Sequence, residues 1–191
     1  MKHYLLVLAA VATLIMSFTF KDGEYKIDGQ KSKLTWLGKK VTGSHTGTIN
    51  IVDGTLTAKA NKITGGSFVI DITSIKDAEA NARLEGHLKS DDFFSAEKFP
   101  KANFAITKVT PSAGDQYTIK GNLTIKGITN EIEFPATVQF DKDQVTAQAK
   151  RLVDRTKFDI KFHSGSFFEN LGDKAIEDIF ELNVELVGAQ K

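Results

Sequence analysis

Tyr117-Thr118-Ile119-Lys120-Gly121-Asn122-Leu123-Thr124-Ile125-Lys126 is the stretch that decides the fold. Tyr117, Ile119, Gly121, Leu123 and Ile125 fall on one face, and polar side chains fall on the other. Successive side chains of a strand point to opposite faces, so this is a strand with one dry face and one wet face. That pattern belongs to antiparallel sheets. Lys126-Gly127 is a turn signal, and beyond it Ile132, Phe134, Ala136, Val138 and Phe140 alternate in the same way. The pair reads as a hairpin.

The same period extends in both directions. Phe68, Ile70 and Ile72 alternate upstream. Phe158, Ile160 and Phe162 alternate downstream, as do Phe180, Leu182, Val184 and Leu186. Further turns are predicted at Asp53-Gly54, Gly65-Gly66, Ser112 to Asp115 and Asp141 to Asp143. Pro135 lies inside an alternating run, so it belongs near a bulge or an edge, where no ladder donor is needed. Two segments lose the alternation. Asp77 to Ser90 holds Leu84 and Leu88 four residues apart, which predicts a helix of about three turns with Asp77 at its cap. The stretch from His163 to Asp178 reads as a long loop exposing Phe167-Phe168.

Together these give roughly eight to ten strands, one helix and no parallel βαβ signal. An antiparallel sheet of that size with one dry face must close or fold over. The predicted fold is all-β, a closed lipocalin-like barrel of about eight strands with one short helix at the mouth. A β-sandwich is the structural alternative.

The 191 residues suit a single barrel domain over 21–191, with residues 1–20 set apart. Met1-Lys2-His3 precedes an apolar run from Tyr4 to Met16 that is short of the roughly 20 residues of a membrane span. This is the pattern of a secretory signal peptide, with cleavage expected near residues 17–21. No lasting membrane span is expected after its removal. Lys plus Arg is 25 and Asp plus Glu is 24, scattered singly, which argues against a nucleic-acid partner. With no cysteine, disulfides, thiolate metal sites and a cysteine nucleophile are excluded.

Few chemical constellations emerge. There is no G-x-S-x-G elbow, and His163-Ser164 with Ser166 does not make a triad by sequence proximity. His45, His87 and His163 have no metal-ligand spacing, so no metal is expected. Asp91-Asp92 reads as a turn or cap. Gly43 to Gly47 lacks the lysine and helix of a phosphate loop. No catalytic residue and no cofactor are assigned. The apolar faces remain, with Phe68, Phe104, Phe134, Phe140, Phe158 and Phe180 among the 14 Phe of the chain. Alternation alone leaves a filled core and a ligand cavity both open.

Four motifs bear on that choice. Leu84-Glu85-Gly86-His87-Leu88-Lys89-Ser90-Asp91-Asp92-Phe93-Phe94 with Lys98-Phe99-Pro100, then Gly121-Asn122-Leu123-Thr124-Ile125-Lys126-Gly127-Ile128-Thr129, occur in order. Asp154-Arg155-Thr156-Lys157-Phe158-Asp159-Ile160 and the opening Tyr25-Lys26-Ile27-Asp28 complete the set. The chain resembles the YceI-like family over about residues 24–188. It departs from the family pattern at Arg83-Leu84-Glu85-Gly86-His87-Leu88, which has an extra residue and no Asp, and at Asp159, where many members have Gly.

The resemblance implies a lipocalin-like barrel with a helix across one end, exported to the periplasm and often dimeric. It implies an apolar tunnel for a polyisoprenoid or fatty-acyl chain. The ligand-binding wall expected on that basis comprises Trp36, Phe68, Ile70, Ile72, Phe104, Ile106, Leu123, Ile125, Phe134 and Val138. Leu84, Leu88, Phe93 and Phe94 are expected as the lid, and His87 as a head-group contact or a fastener of the helix. The expected function is a periplasmic lipid carrier without chemistry. The alternatives are a stress-related envelope protein with a filled barrel, or an enzyme acting on a lipid head through His87, Asp154 and Arg155.

Overall fold

The period-two runs become strands that pair with their neighbours in chain order. The structure is a computed structural model that describes residues 22–191, so the expected signal peptide lies outside the described residues. The strands are β1 (Gly23–Ile27), β2 (Lys33–Lys40), β3 (Gly43–Lys59), β4 (Lys62–Asp77), β5 (Lys101–Pro111), β6 (Gln116–Ile125), β7 (Ile128–Asp141), β8 (Gln144–Asp154) and β9 (Ile179–Gln190). One helix, α1 (Ala82–Lys89), follows β4.

Closure comes from the shared use of β3 and β9. β1 pairs with the second half of β3 through Tyr25↔Leu56 and with the end of β9 through Tyr25↔Gln190. β2 pairs with the first half of β3 through Trp36↔Gly47 and with the start of β9 through Trp36↔Leu182. The two short strands therefore lie end to end as one stave. The result is a closed, eight-staved, antiparallel, lipocalin-like barrel. No helix among the described residues is long and apolar enough to cross a membrane.

Two expected turns are not turns. Asp53-Gly54 lies inside β3, beside a register shift, and a Cβ on Gly54 would meet Phe68 at 2.9 Å. Gly65-Gly66 lies inside β4, where a Cβ on Gly66 would meet the Thr55 carbonyl at 2.5 Å. Both glycines serve close approach of backbone and side chains, the other use of a missing Cβ. The real β3–β4 turn is Ala60-Asn61, both with positive φ, at 50° and 56°. Two left-handed central residues make the tight hairpin turn whose twist matches the strands.

The Phe158 run is also not a strand. Arg155–Phe158 forms a 3-10 turn, capped by the Asp154 side chain accepting from Thr156 N. Asp159 then takes a left-handed φ of 57°, a conformation that favours glycine. Phe158 and Ile160 still point inward and are fully buried, because a chain closing the barrel end needs apolar plugs at the same spacing.

The helix is shorter than expected and capped elsewhere. Asn81 is the N-cap, with Oδ1 accepting from Leu84 N at 3.1 Å. Asp77 ends β4, and its carboxylate accepts from Glu79 N and Asn81 N to form the turn into the helix. Asn81→Ala is expected to lower stability by about 1 kcal/mol. Thermal unfolding would show this as a midpoint drop of roughly 2–4 °C. An unchanged midpoint would mean that the Asp77 turn alone fixes the helix start.

Candidate functional site

The inward faces of the staves enclose two apolar chambers. The first, of about 140 Å³, lies at the end covered by α1, the turn after it and the loop from residue 155 to 178. The second, of about 120 Å³, lies deeper, within the staves from β2 to β9. Leu34, Ile70, Leu123 and Leu182 line both, so the chambers meet at a waist of four aliphatic side chains. Cavities of this size with hydrocarbon walls stay dry and accept apolar guests.

The expected wall residues are distributed between the two chambers. Trp36, Ile72 and Ile125 face the first, Ile70 and Leu123 face both, and Phe68, Phe104, Ile106, Phe134 and Val138 face the second. Phe104 stacks between Phe68 at 6.4 Å and Phe134 at 5.6 Å, forming an aromatic side to the deeper chamber. Of the lid, Leu88, Phe93 and Phe94 line the first chamber.

Leu84 and His87 line neither chamber, so Leu84 is not part of the lid and His87 keeps only its expected place as a fastener of the helix. The cause is the roll of α1. Glu85 is its buried residue, accepting from Asp77 N at 3.1 Å and pairing with Lys76 Nζ at 2.9 Å. The Lys76 ammonium and the Asp77 amide hold the Glu85 carboxyl below the usual range. With Glu85 turned to β4, the residue three further on, Leu88, faces the cavity. His87 instead sits edge-on to Phe93 at 5.0 Å and Phe162 at 4.6 Å, with Nε2 3.4 Å from Asp92 Oδ2. Its ring joins α1 to the loop after the 3-10 turn.

That loop is fastened by Arg155. Arg155 is 3% exposed, and its guanidinium reaches into the wall of the first chamber and donates to the carbonyls of Ile160, Ile176 and Glu177. Asp178 Oδ1 lies 3.4 Å from Nη2. Burial raises the Asp178 pKa, but the Ser164 and Ser166 hydroxyls and Arg155 bring it below the ordinary value. Asp154 is engaged by Thr156 N and Oγ1 at 3.0 and 2.6 Å. The polar residues that sequence offered for chemistry are thus holding backbone together.

Among the described residues the histidines do not converge on one another. His45 Nδ1 lies 3.6 Å from Asp77 Oδ1, and these two with Glu79 place donor atoms within 4.8 Å of one another at the start of the turn into α1. His163 stacks on Phe162 at 4.0 Å. Asp91 pairs with Lys98 at 2.9 Å, which pulls its carboxyl below the usual range.

Several wall residues escaped the sequence reading. Ile49, Ala102, Ile160, Phe180 and Leu182 line the first chamber or the waist. The alternation of Phe180 to Leu186 carried the signal for two of them. Nothing in the sequence marked Arg151, which lines the second chamber.

Comparison with known proteins fits this geometry. A family profile described as YceI-like domain matches residues 25–188. The YceI protein of Salmonella newport is 28% identical over an alignment covering all of both chains. Among solved structures, BcnA of Burkholderia cenocepacia superposes with a TM-score of 0.71 at 22% identity, covering 84% of this chain and 98% of that one. A polyisoprenoid binding domain from Saccharophagus degradans, implicated in plant cell wall breakdown, gives 0.67 at 13% identity, covering 87% and 98%. At such identities the structures speak for the fold, while the profile spans nearly all the described barrel. The chain belongs to the YceI-like family.

Proposed function

We propose that this protein is a periplasmic carrier that sequesters a long-chain lipid, an isoprenoid or a fatty-acyl chain, without chemical change. The observation that carries the reading is the pair of apolar chambers joined at Leu34, Ile70, Leu123 and Leu182. A chain threaded through both would bury its methylenes at about 0.8 kcal/mol each. Part of that gain is offset by ordering the chain. The polyisoprenoid-binding neighbour supports an apolar ligand for this shape of barrel. The basic start and short apolar run of residues 1–20 support export.

The test is to express the full chain, recover the osmotic-shock fraction, sequence its N-terminus and extract it with organic solvent for mass spectrometry. The mature chain is expected to begin near residues 18–22 and to release an apolar chain in near-stoichiometric amount. Protein retained in the cytoplasm with Met1 intact would overturn the location. Protein that neither releases nor takes up any long-chain lipid would overturn the carrier.

A further inference from the structure

β8 sends Val145, Ala147, Ala149, Arg151 and Val153 inward, and one of these five is a cation. Arg151 is paired through its backbone with Leu182 of β9, and its side chain lines the deeper chamber. Its Nε is buried and has no hydrogen-bond partner, and among the described residues its guanidinium has no ion pair. Arg155, four residues on, shows what a satisfied arginine looks like in this fold: three carbonyls and a nearby carboxylate. A guanidinium does not discharge in a protein. Arg151 is half-buried, so held against a hydrocarbon wall without a counter-charge it carries part of the cost of a buried cation.

The β7–β8 ladder ends beside it. β7 and β8 exchange pairs from Asp141↔Gln144 only as far as Ala136↔Ala149. The next residue of β7 is Pro135. Val138 N donates on the β6 side, to Asp115 O, so by alternation the backbone of Pro135 faces β8 with no N–H to give. The ladder stops there. Continuing its register would set Phe134 opposite Arg151, and both line the chamber. The cation therefore stands where the apolar interior meets the end of the β7–β8 ladder.

We infer that Arg151 is the head-group receptor of the cavity, and that the ligand is a long-chain monocarboxylate. This rests on the carrier reading above and sharpens it. The planar fork of a guanidinium matches a carboxylate through two parallel hydrogen bonds. Among the described residues Arg151 is the one charged residue lining the deeper chamber, so a single negative charge balances it. A phosphate head, at about −1.5 to −2, would enter with charge to spare. The tail then runs from Arg151 past the four-residue waist into the chamber beneath α1.

The experiment compares hexadecanoate, hexadecanol and hexadecyl phosphate as competitors for a bound fluorescent lipid, using delipidated full-length mature protein. Wild type is expected to bind hexadecanoate about tenfold or more tightly than hexadecanol, the scale of a charge-assisted hydrogen bond. Arg151→Met is expected to erase that preference while keeping hexadecanol affinity, and Arg151→Lys to restore part of it. The thermal midpoint of Arg151→Met should hold or rise, since an unpaired cation has been removed. Equal wild-type affinity for the acid and the alcohol overturns the receptor while leaving the carrier standing. Tighter binding of the phosphate overturns the monocarboxylate. A wild type from which none of the three displaces the probe overturns the receptor, and one that takes up neither the probe nor any of the three overturns the carrier with it.

Discussion

Arg155→Met is expected to destabilise the barrel by about 3–5 kcal/mol, the range for stripping one partner from a buried charged network. The guanidinium reaches from the end of β8 to both limbs of the closing loop. It donates to Ile160 O at 2.8 Å on one side, and to Ile176 O and Glu177 O at 3.0 Å on the other. It also lies over the Phe93 ring at 5.9 Å, so the turn after α1 leans on it. Methionine would fill much of the volume but leave the Ile160 carbonyl, on a fully buried residue, without its donor. Asp178 would lose its cation. Arg155→Lys should recover little, because a point ammonium cannot serve three divergent carbonyls. Chemical denaturation of the two variants checks this, and a loss below about 1 kcal/mol in Arg155→Met would remove the fastening role.

The same site has a pH signature with a definite sign. Asp178 has a folded pKa below its unfolded value. Its contribution is therefore present above the unfolded carboxylate range and lost as pH falls through the folded pKa. The stability gap between wild type and Arg155→Met should narrow on acidification, because the ion-pair share of that gap vanishes first.

What could be read from the sequence follows the physics of each element. Strands such as β6 and β7 were legible because one face meets hydrocarbon and the other meets water, and the chain records that as alternation. The 155–162 segment records a similar alternation for a different reason. Phe158 plugs the barrel end from a 3-10 turn and Ile160 from just beyond its cap, and period alone does not distinguish such a segment from a strand. The glycines at 54 and 66 mimic turn signals because a missing Cβ serves close packing as well as positive φ. Along the wall, alternation marks the inward face of each strand it reveals, Phe180 and Leu182 included, but not which inward residues border the cavity. The helix was harder, since its orientation is set by Glu85 reaching the Asp77 amide and Lys76, a contact between elements that no local pattern encodes. Arg151 was invisible for a related reason. A cation in an alternating run ordinarily marks the wet face, and only the parity of β8 places it inside.

Ile70→Trp is expected to weaken hexadecanoate binding about a hundredfold and to leave octanoate binding nearly unchanged. Ile70 sits on β4 between Ile51 of β3 and Ala102 of β5, and it faces both chambers. An indole at this place occupies the waist that Leu34, Leu123 and Leu182 leave open. A long chain would be confined to one chamber, and about four methylenes returned to water cost about 3 kcal/mol, or roughly two orders of magnitude in affinity. A short chain that fits one chamber loses none of them. Overpacking should cost about 1–3 kcal/mol of stability, which the fold must be shown to survive before binding is measured. Val52→Trp, on the exposed face of β3, adds the same indole outside the barrel and serves as the control. Parallel losses for both acids would place the effect in the fold and not the waist. Unchanged hexadecanoate affinity in a folded Ile70→Trp protein would show that one chamber holds the entire chain, and that the two cavities do not act as a single tunnel.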